Sequence, residues 1–171
     1  YEKYRPKRFE DVIGQDRAVG KVKAVLSKQW GGRAWWIAGP SGTGKTTLAR
    51  LIASEGADIG IMEFDSADDL TATALGGFEK SLYTLTWGTK PGRVLIVNEA
   101  HALRAEVIRR LLGILERLPG HVVVIFTTTK AAQEDLFGDS IDAGPLCSRC
   151  LKVNLSSYGL AQAFAARAKE I

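Results

Sequence analysis

With 171 residues and 46% hydrophobic content, the chain can bury one core but is too short for two comfortable domains. Its 23 Lys plus Arg against 19 Asp plus Glu leave a net +4, a mild excess that does not by itself call for a nucleic-acid partner. The only cysteines, Cys147 and Cys150, exclude a disulfide framework, and neither a membrane-spanning apolar run nor a signal-peptide pattern occurs, so a soluble cytoplasmic (or nucleoid or nuclear) protein without membrane contact is expected.

The opening "YEKYRPKRFEDVIG" has no clean period and sets Lys3, Arg5, Lys7 and Arg8 around a proline, which predicts an extended basic arm over residues 1–14. From Gln15 to Gln29, Val19, Val22, Val25 and Leu26 recur at helical spacing until Gly31-Gly32 ends the pattern. "AWWIAG" then fits a buried parallel strand, "KTTLARLIASE" a helix and "IGIMEFD" a second strand. Ser66 is placed to cap a helix that starts near Asp68 and runs to Leu82, despite Gly76-Gly77. After the loop-like "SLYTLTWGTKPG" come a strand "RVLIVN" and a helix over 104–118 with Val107, Ile108, Leu111, Leu112 and Leu115 on one face. Pro119-Gly120 stops it. "HVVVIFTTT" and "LKVNL" supply strands four and five, and a last helix is expected from about Ser156. Strands alternating with helices predict one α/β domain, three layers around a mostly parallel five-stranded sheet.

Between the first strand and the next helix stands "GPSGTGKT": Gly39, Pro40, Ser41, Gly42, Thr43, Gly44, Lys45 and Thr46 match G-x-x-x-x-G-K-[ST] at every defined position. Glycines let backbone N–H groups turn inward around phosphate oxygens, and the following helix, through Thr47, adds its N-terminal dipole. Lys45 is placed to reach the β and γ phosphates of ATP, and the Thr46 hydroxyl to ligate Mg²⁺. The third strand should deliver two acids to its end, yet "VLIVNEAH" has Asn98 at the first position and Glu99 at the second.

"EKYRPKRFEDVIGQ", "GPSGTGKT", the strand ending "NEAH" and "CSRC" at 147–150 occur in the order found in sliding-clamp loader subunits of the AAA+ ATPases. The chain resembles replication factor C small subunits and the bacterial tau/gamma subunits over nearly its whole length. That resemblance implies a P-loop AAA+ nucleotide-binding domain with ATP and Mg²⁺ as cofactors, an arm of residues 1–14 and an α/β core of 15–171. The family's lid and collar are expected to be missing from this chain, which starts at Tyr1 and ends inside a helical pattern like a piece of something longer. Partners implied are neighbouring AAA+ subunits in a hetero- or homo-pentamer, a sliding clamp and primer-template DNA.

Position by position, the resemblance places Tyr4, Arg5, Pro6, Val12 and Ile13 around the adenine and gives Glu99 the attacking water. It makes Thr129, or Thr128 one register away, the polar sensor, and Arg149 a finger for the ATP of the next subunit. Arg104, Arg109 and Arg110 become candidate DNA-phosphate contacts on the helix that lines the DNA chamber in clamp loaders; a solvated helix face is the plainer account. Two departures stand out: no cysteine-rich zinc module follows the phosphate-loop helix, and "KAAQEDLFGDSIDAGPL" looks long for the family's connection. Cys147-x-x-Cys150 also spells a redox dithiol, without the strand-turn-helix setting that motif expects.

Alternatives to a hydrolysing clamp-loader subunit are a nucleotide-binding subunit that offers Arg149 but does not hydrolyse, another AAA+ DNA motor such as a branch-migration helicase, and a P-loop small-molecule kinase. Asn98 in place of an acid keeps an oxygen but removes a charge opposite the cation, so a weakened metal site is expected. By that reasoning Asn98→Asp should lower the Mg²⁺ requirement.

Overall fold

The computed structural model describes residues 5–129 and 143–160. Five strands, β1 (Arg33–Ala38), β2 (Ile61–Phe64), β3 (Arg93–Val97), β4 (Val122–Thr128) and β5 (Cys150–Asn154), form one sheet in the order β2-β3-β4-β1-β5. All four pairings are parallel, as the alternation of strands and helices requires.

The apolar runs in β1, β3 and β4 arise because these strands are covered on both faces. Trp35, Ile37, Val94, Ile96, Val123 and Ile125 point to one layer with α1 (Asp16–Leu26) and α2 (Lys45–Gly56). Their neighbours Ala34, Trp36, Leu95, Val97, Val124 and Phe126 point to the other, with α3 (Ala72–Ser81) and α4 (Ala105–Leu115). Trp36 and Phe126 meet across β1 and β4 with ring centroids 5.5 Å apart and planes tilted by 41°, a contact worth roughly 0.5–1.5 kcal/mol beyond area burial.

From β1 the chain crosses to β2 at the far edge, returns through β3 and β4, then passes over β1 to β5. The direction of travel therefore reverses beside β1, where Ala38 is in register with Thr128 on one side and Asn154 on the other. In an open parallel sheet, the carboxyl ends of strands at such a reversal form the ligand crevice.

Three local expectations change. The arm is not simply extended: Phe9–Asp11 make a 3₁₀ turn, with Phe9 buried in the α1–α2 layer and Val12 packed against it. The single helix expected from Asp68 to Leu82 is two pieces. Ser66 Oγ accepts from the Asp68 N–H to cap a 3₁₀ turn, Ala67–Asp69, Leu70 is buried, and extended Thr71 caps α3 through the Ala74 N–H. Each hydroxyl satisfies a different helix start, so the two turns cannot merge. Around "CSRC" a short α5 (Ala143–Ser148) leads through Arg149 into β5; both thiols are free and buried, and burial pushes each thiol pKa up. Raised, buried thiols are the opposite of a reactive redox pair. Most of the expected "KAAQEDLFGDSIDAGPL" connection and of the last helix falls outside the described residues, among which no helix is long and apolar enough to cross a membrane.

Candidate nucleotide site

Residues 39–46 leave the carboxyl end of β1 and enter α2. The Gly39 N–H donates to the Thr128 carbonyl at 3.2 Å, which seats the loop on the reversal point. A Cβ at Gly39 would lie 2.8 Å from the Leu155 carbonyl oxygen, a contact with backbone that cannot yield. Gly42 and Gly44 have φ of +77° and +93°, the left-handed conformation that glycine adopts without penalty. Pro40, Ser41 and Gly42 form the exposed crest, while Thr43 is buried and its hydroxyl donates to the Pro40 carbonyl at 2.8 Å.

Lys45 folds back over the loop, Nζ donating to the same carbonyl at 2.9 Å, with the residue only 7% exposed. Burial pushes its ammonium pKa down, and the charge of Glu99 partly opposes this. Among the described residues the one hydrogen-bond partner of Lys45 Nζ is a neutral carbonyl, and a phosphate would supply an anionic one. Gln15 ties the framework together: its amide donates to the carbonyls of Ser156 (2.8 Å) and Thr43 (3.4 Å), and its Oε1 accepts from the Ser156 N–H at 3.1 Å. In the sequence Gln15 starts a helix and closes the motif "EKYRPKRFEDVIGQ"; no local signal shows that a residue 141 positions from Ser156 will meet it.

At the end of β3, Asn98 is 6% exposed and fully engaged. Its Oδ1 accepts from the Thr46 hydroxyl at 3.1 Å and the Thr127 hydroxyl at 2.8 Å. Its Nδ2 donates to Glu63 Oε1 at 3.1 Å and the Phe64 carbonyl at 3.2 Å. Glu63 in turn receives Arg50 Nε at 2.8 and 3.1 Å. Thr127, Glu63 and Arg50 were invisible as site residues in the sequence, since they come from three other elements. Thr46 Oγ1 and Asn98 Oδ1 form an adjacent pair of oxygen donors of the kind Mg²⁺ takes, so this loop and strand end fit a magnesium nucleotide.

Glu99 is the one non-glycine residue with positive φ (50°) among the described residues, a strained conformation of the kind that collects at functional sites. Thr129 Oγ1 donates to its carboxylate at 3.4 Å, and His101 Nδ1 lies 3.4 Å from the same oxygen. Thr128 instead turns to His101 at 3.4 Å, so of the two registers left open by the sequence it is Thr129 that meets Glu99.

The other expected residues are less gathered. Arg5, Pro6, Val12 and Ile13 are half-buried, and Tyr4 lies outside the described residues. Arg149 precedes β5 and so sits at the amino end of the sheet. Its Nη2 donates to Glu116 at 2.8 Å and its Nη1 to the Pro145 carbonyl at 3.2 Å. Five residues of strand, about 16 Å at the usual rise, separate it from the phosphate-loop end. Arg110 is spent within the fold, gripping Glu79 at 3.0 and 3.1 Å and the Ala72 carbonyl at 2.9 Å to join α4 to α3. Arg104 is exposed, 4.0 Å from Asp68, and Arg109 is exposed on α4.

Comparison with known proteins bears on the family and the fold. The replication factor C small subunit of Haloarcula marismortui is 30% identical over 153 residues, covering 87% of this chain and 44% of that protein. The DNA polymerase III subunit gamma/tau of Mycoplasma pneumoniae is 28% identical over 152 residues, 76% of this chain and 22% of that one. This chain thus spans less than half the length of either relative. Among solved structures, a RuvB variant from Thermotoga maritima superposes with a TM-score of 0.68 at 26% identity, over 98% of this chain and 55% of the other. The family described as "ATPase family associated with various cellular activities (AAA)" matches residues 36–141, with the phosphate loop, Asn98, Glu99 and the threonine strand inside the match. The chain belongs to the AAA family of ATPases.

Proposed function

We propose that the chain is the ATP-binding and ATP-hydrolysing domain of a clamp-loader-like replication subunit, in which ATP binding drives engagement of a sliding clamp and primer-template DNA, and hydrolysis drives release. The observation that carries hydrolysis is Glu99, turned by its left-handed backbone at the mouth of the phosphate loop and met there by Thr129. In this reading the amides and glycines of 39–46 and the Lys45 ammonium hold the phosphates. Thr46 and Asn98 hold Mg²⁺, Thr47 continues the helix start, and Glu99 takes the proton of the attacking water with Thr129 fixing its carboxylate. Bound Mg²⁺ would neutralise charge on the phosphate oxygens. Arg5, Pro6, Val12 and Ile13 of the arm lie against the base, and the described residues from Gln15 onward form the core.

Arg149 serves a neighbouring subunit. About 16 Å of strand keeps it from its own loop, and its partner Glu116 is 60% exposed and easily exchanged. Arg104, just before α4, and Arg109 and Arg110 on it are the DNA-facing candidates, and Arg110 would have to give up Glu79.

Glu99→Gln in the full-length assembled protein should cut turnover by about 10²- to 10⁴-fold while ATP binding persists. A wild-type assembly that binds ATP and never cleaves it at this subunit would establish instead the non-hydrolysing reading, which the neutral Asn98 favours. Stimulation of ATP turnover by a four-way DNA junction, and not by clamp with primer-template, would point to branch migration, the reading the RuvB likeness favours.

A further inference from the structure

We propose that Glu63, itself gripped by Arg50, is a positioning residue that makes the Asn98 carboxamide present its oxygen to the metal side of the site. The three side chains then act as one unit where a carboxylate at 98 would otherwise stand. The inference rests on the reading of Thr46 and Asn98 as the magnesium-side pair.

A carboxamide has two unlike ends, and its surroundings decide which points where. Reversed, Asn98 would set its oxygen 3.1 Å from a Glu63 carboxylate oxygen and 3.2 Å from the Phe64 carbonyl, with no hydrogen between either pair. The amide nitrogen therefore faces Glu63 and Phe64, and Oδ1 faces Thr46 and Thr127. An N–H bonded to an ionised carboxylate also polarises the amide and enriches its oxygen, as outer partners do for metal-bound ligands. Arg50 follows Thr46 by one helical turn on α2, so the same face carries the metal-side hydroxyl and the guanidinium that clamps Glu63.

This arrangement reverses the expectation drawn from sequence for Asn98→Asp. An aspartate there would place carboxylate against carboxylate at Glu63 and lose the donor to Phe64, so adding the charge alone does not build a better metal site. Only the exchanged pair, Asn98→Asp with Glu63→Gln, regains a donor facing an acceptor while moving the charge next to Thr46.

The test is Mn²⁺ binding to the full-length protein with ADP, followed by loss of the free Mn²⁺ paramagnetic resonance signal, alongside ADP affinity measured in EDTA. Glu63→Gln should weaken Mn²⁺ by about tenfold and leave metal-free ADP affinity unchanged. Arg50→Gln, which keeps Glu63 but releases it, should weaken Mn²⁺ by a smaller factor and serves as the second arm if Glu63→Gln does not fold. Asn98→Asp alone should bind Mn²⁺ no more tightly than wild type, and the double variant more tightly than either single one, a non-additive cycle. Tighter Mn²⁺ binding by Asn98→Asp on its own, or strictly additive effects, overturns the proposal. Wild-type protein that binds no ADP in EDTA would instead bring down the nucleotide-site reading beneath it.

Discussion

At the carboxyl ends of the strands, Lys45 and Asn98 are nearly buried and every polar atom described for Asn98 is matched by a partner from another element. At the amino end, Arg149 lies on the surface against Glu116, with side chains 40% and 60% exposed. Under the proposed function, the groups assigned to the subunit's own nucleotide are held by several elements, whereas Arg149, proposed to act on a neighbour's, is held by one exposed pair. Preorganisation is strong where several elements converge and weak where one exposed pair does the holding.

The largest effect should come from the parked side chain. Arg149→Ala is expected to lower ATP turnover of the full-length assembly by about 10³-fold or more, since a finger acting in trans is worth roughly 10³ to 10⁵. ATP affinity of the unassembled protein should not change. An equal loss in binding by the unassembled protein would break the contrast between the two ends.

Next is Lys45→Met, which should weaken ATP binding by about ten- to a hundredfold, the worth of a hydrogen bond from a charged donor. Thr43 still satisfies the Pro40 carbonyl, so the unliganded fold should survive. Because burial lowers the Lys45 pKa, the unfolded chain holds more protons between the folded value and the ordinary 10.5. Wild-type unliganded stability should therefore rise as pH climbs through that window, and the Met variant should lack the rise. Thermal melts across alkaline pH, with and without nucleotide, would show it. A wild-type curve parallel to the variant's would mean that the ammonium is effectively solvated.

The smallest effect should follow Glu116→Ala. Denaturant unfolding is expected to shift by no more than about 0.5 kcal/mol, with assembled turnover equal to wild type or higher. A larger loss of stability would make Arg149–Glu116 a structural bond rather than a resting place.

The strands, the phosphate loop and the pairing of Asn98 with Glu99 were legible because each depends on neighbours in sequence: an unbroken apolar run, two glycines where φ is positive, a strand end. Helix 68–82 was misread because the hydroxyls that cap its two pieces, Ser66 and Thr71, are each plausible starts, and burial of Leu70 between them decides that both are used. The choice between Thr128 and Thr129 was open for a similar reason, since three successive threonines carry no period; the left-handed turn at Glu99 settles which hydroxyl it meets. Arg110 read as a free cation because its partners, Glu79 and Ala72, belong to another helix.

By itself, the sequence determined the α/β class, the phosphate-binding loop and the loss of one acid at position 98, since these follow from local periodicity, glycine conformational freedom and residue chemistry. Only the tertiary structure decided which groups surround Asn98. Arg50, Glu63, Asn98 and Thr127 come from α2, β2, the end of β3 and β4, and their hydrogen bonds exist only once parallel strands with long crossovers bring those ends together. An asparagine that looks like a defect in a linear motif has, in the folded chain, its oxygen facing two hydroxyls and its nitrogen facing two acceptors. It is the second pair that suits an amide rather than a carboxylate.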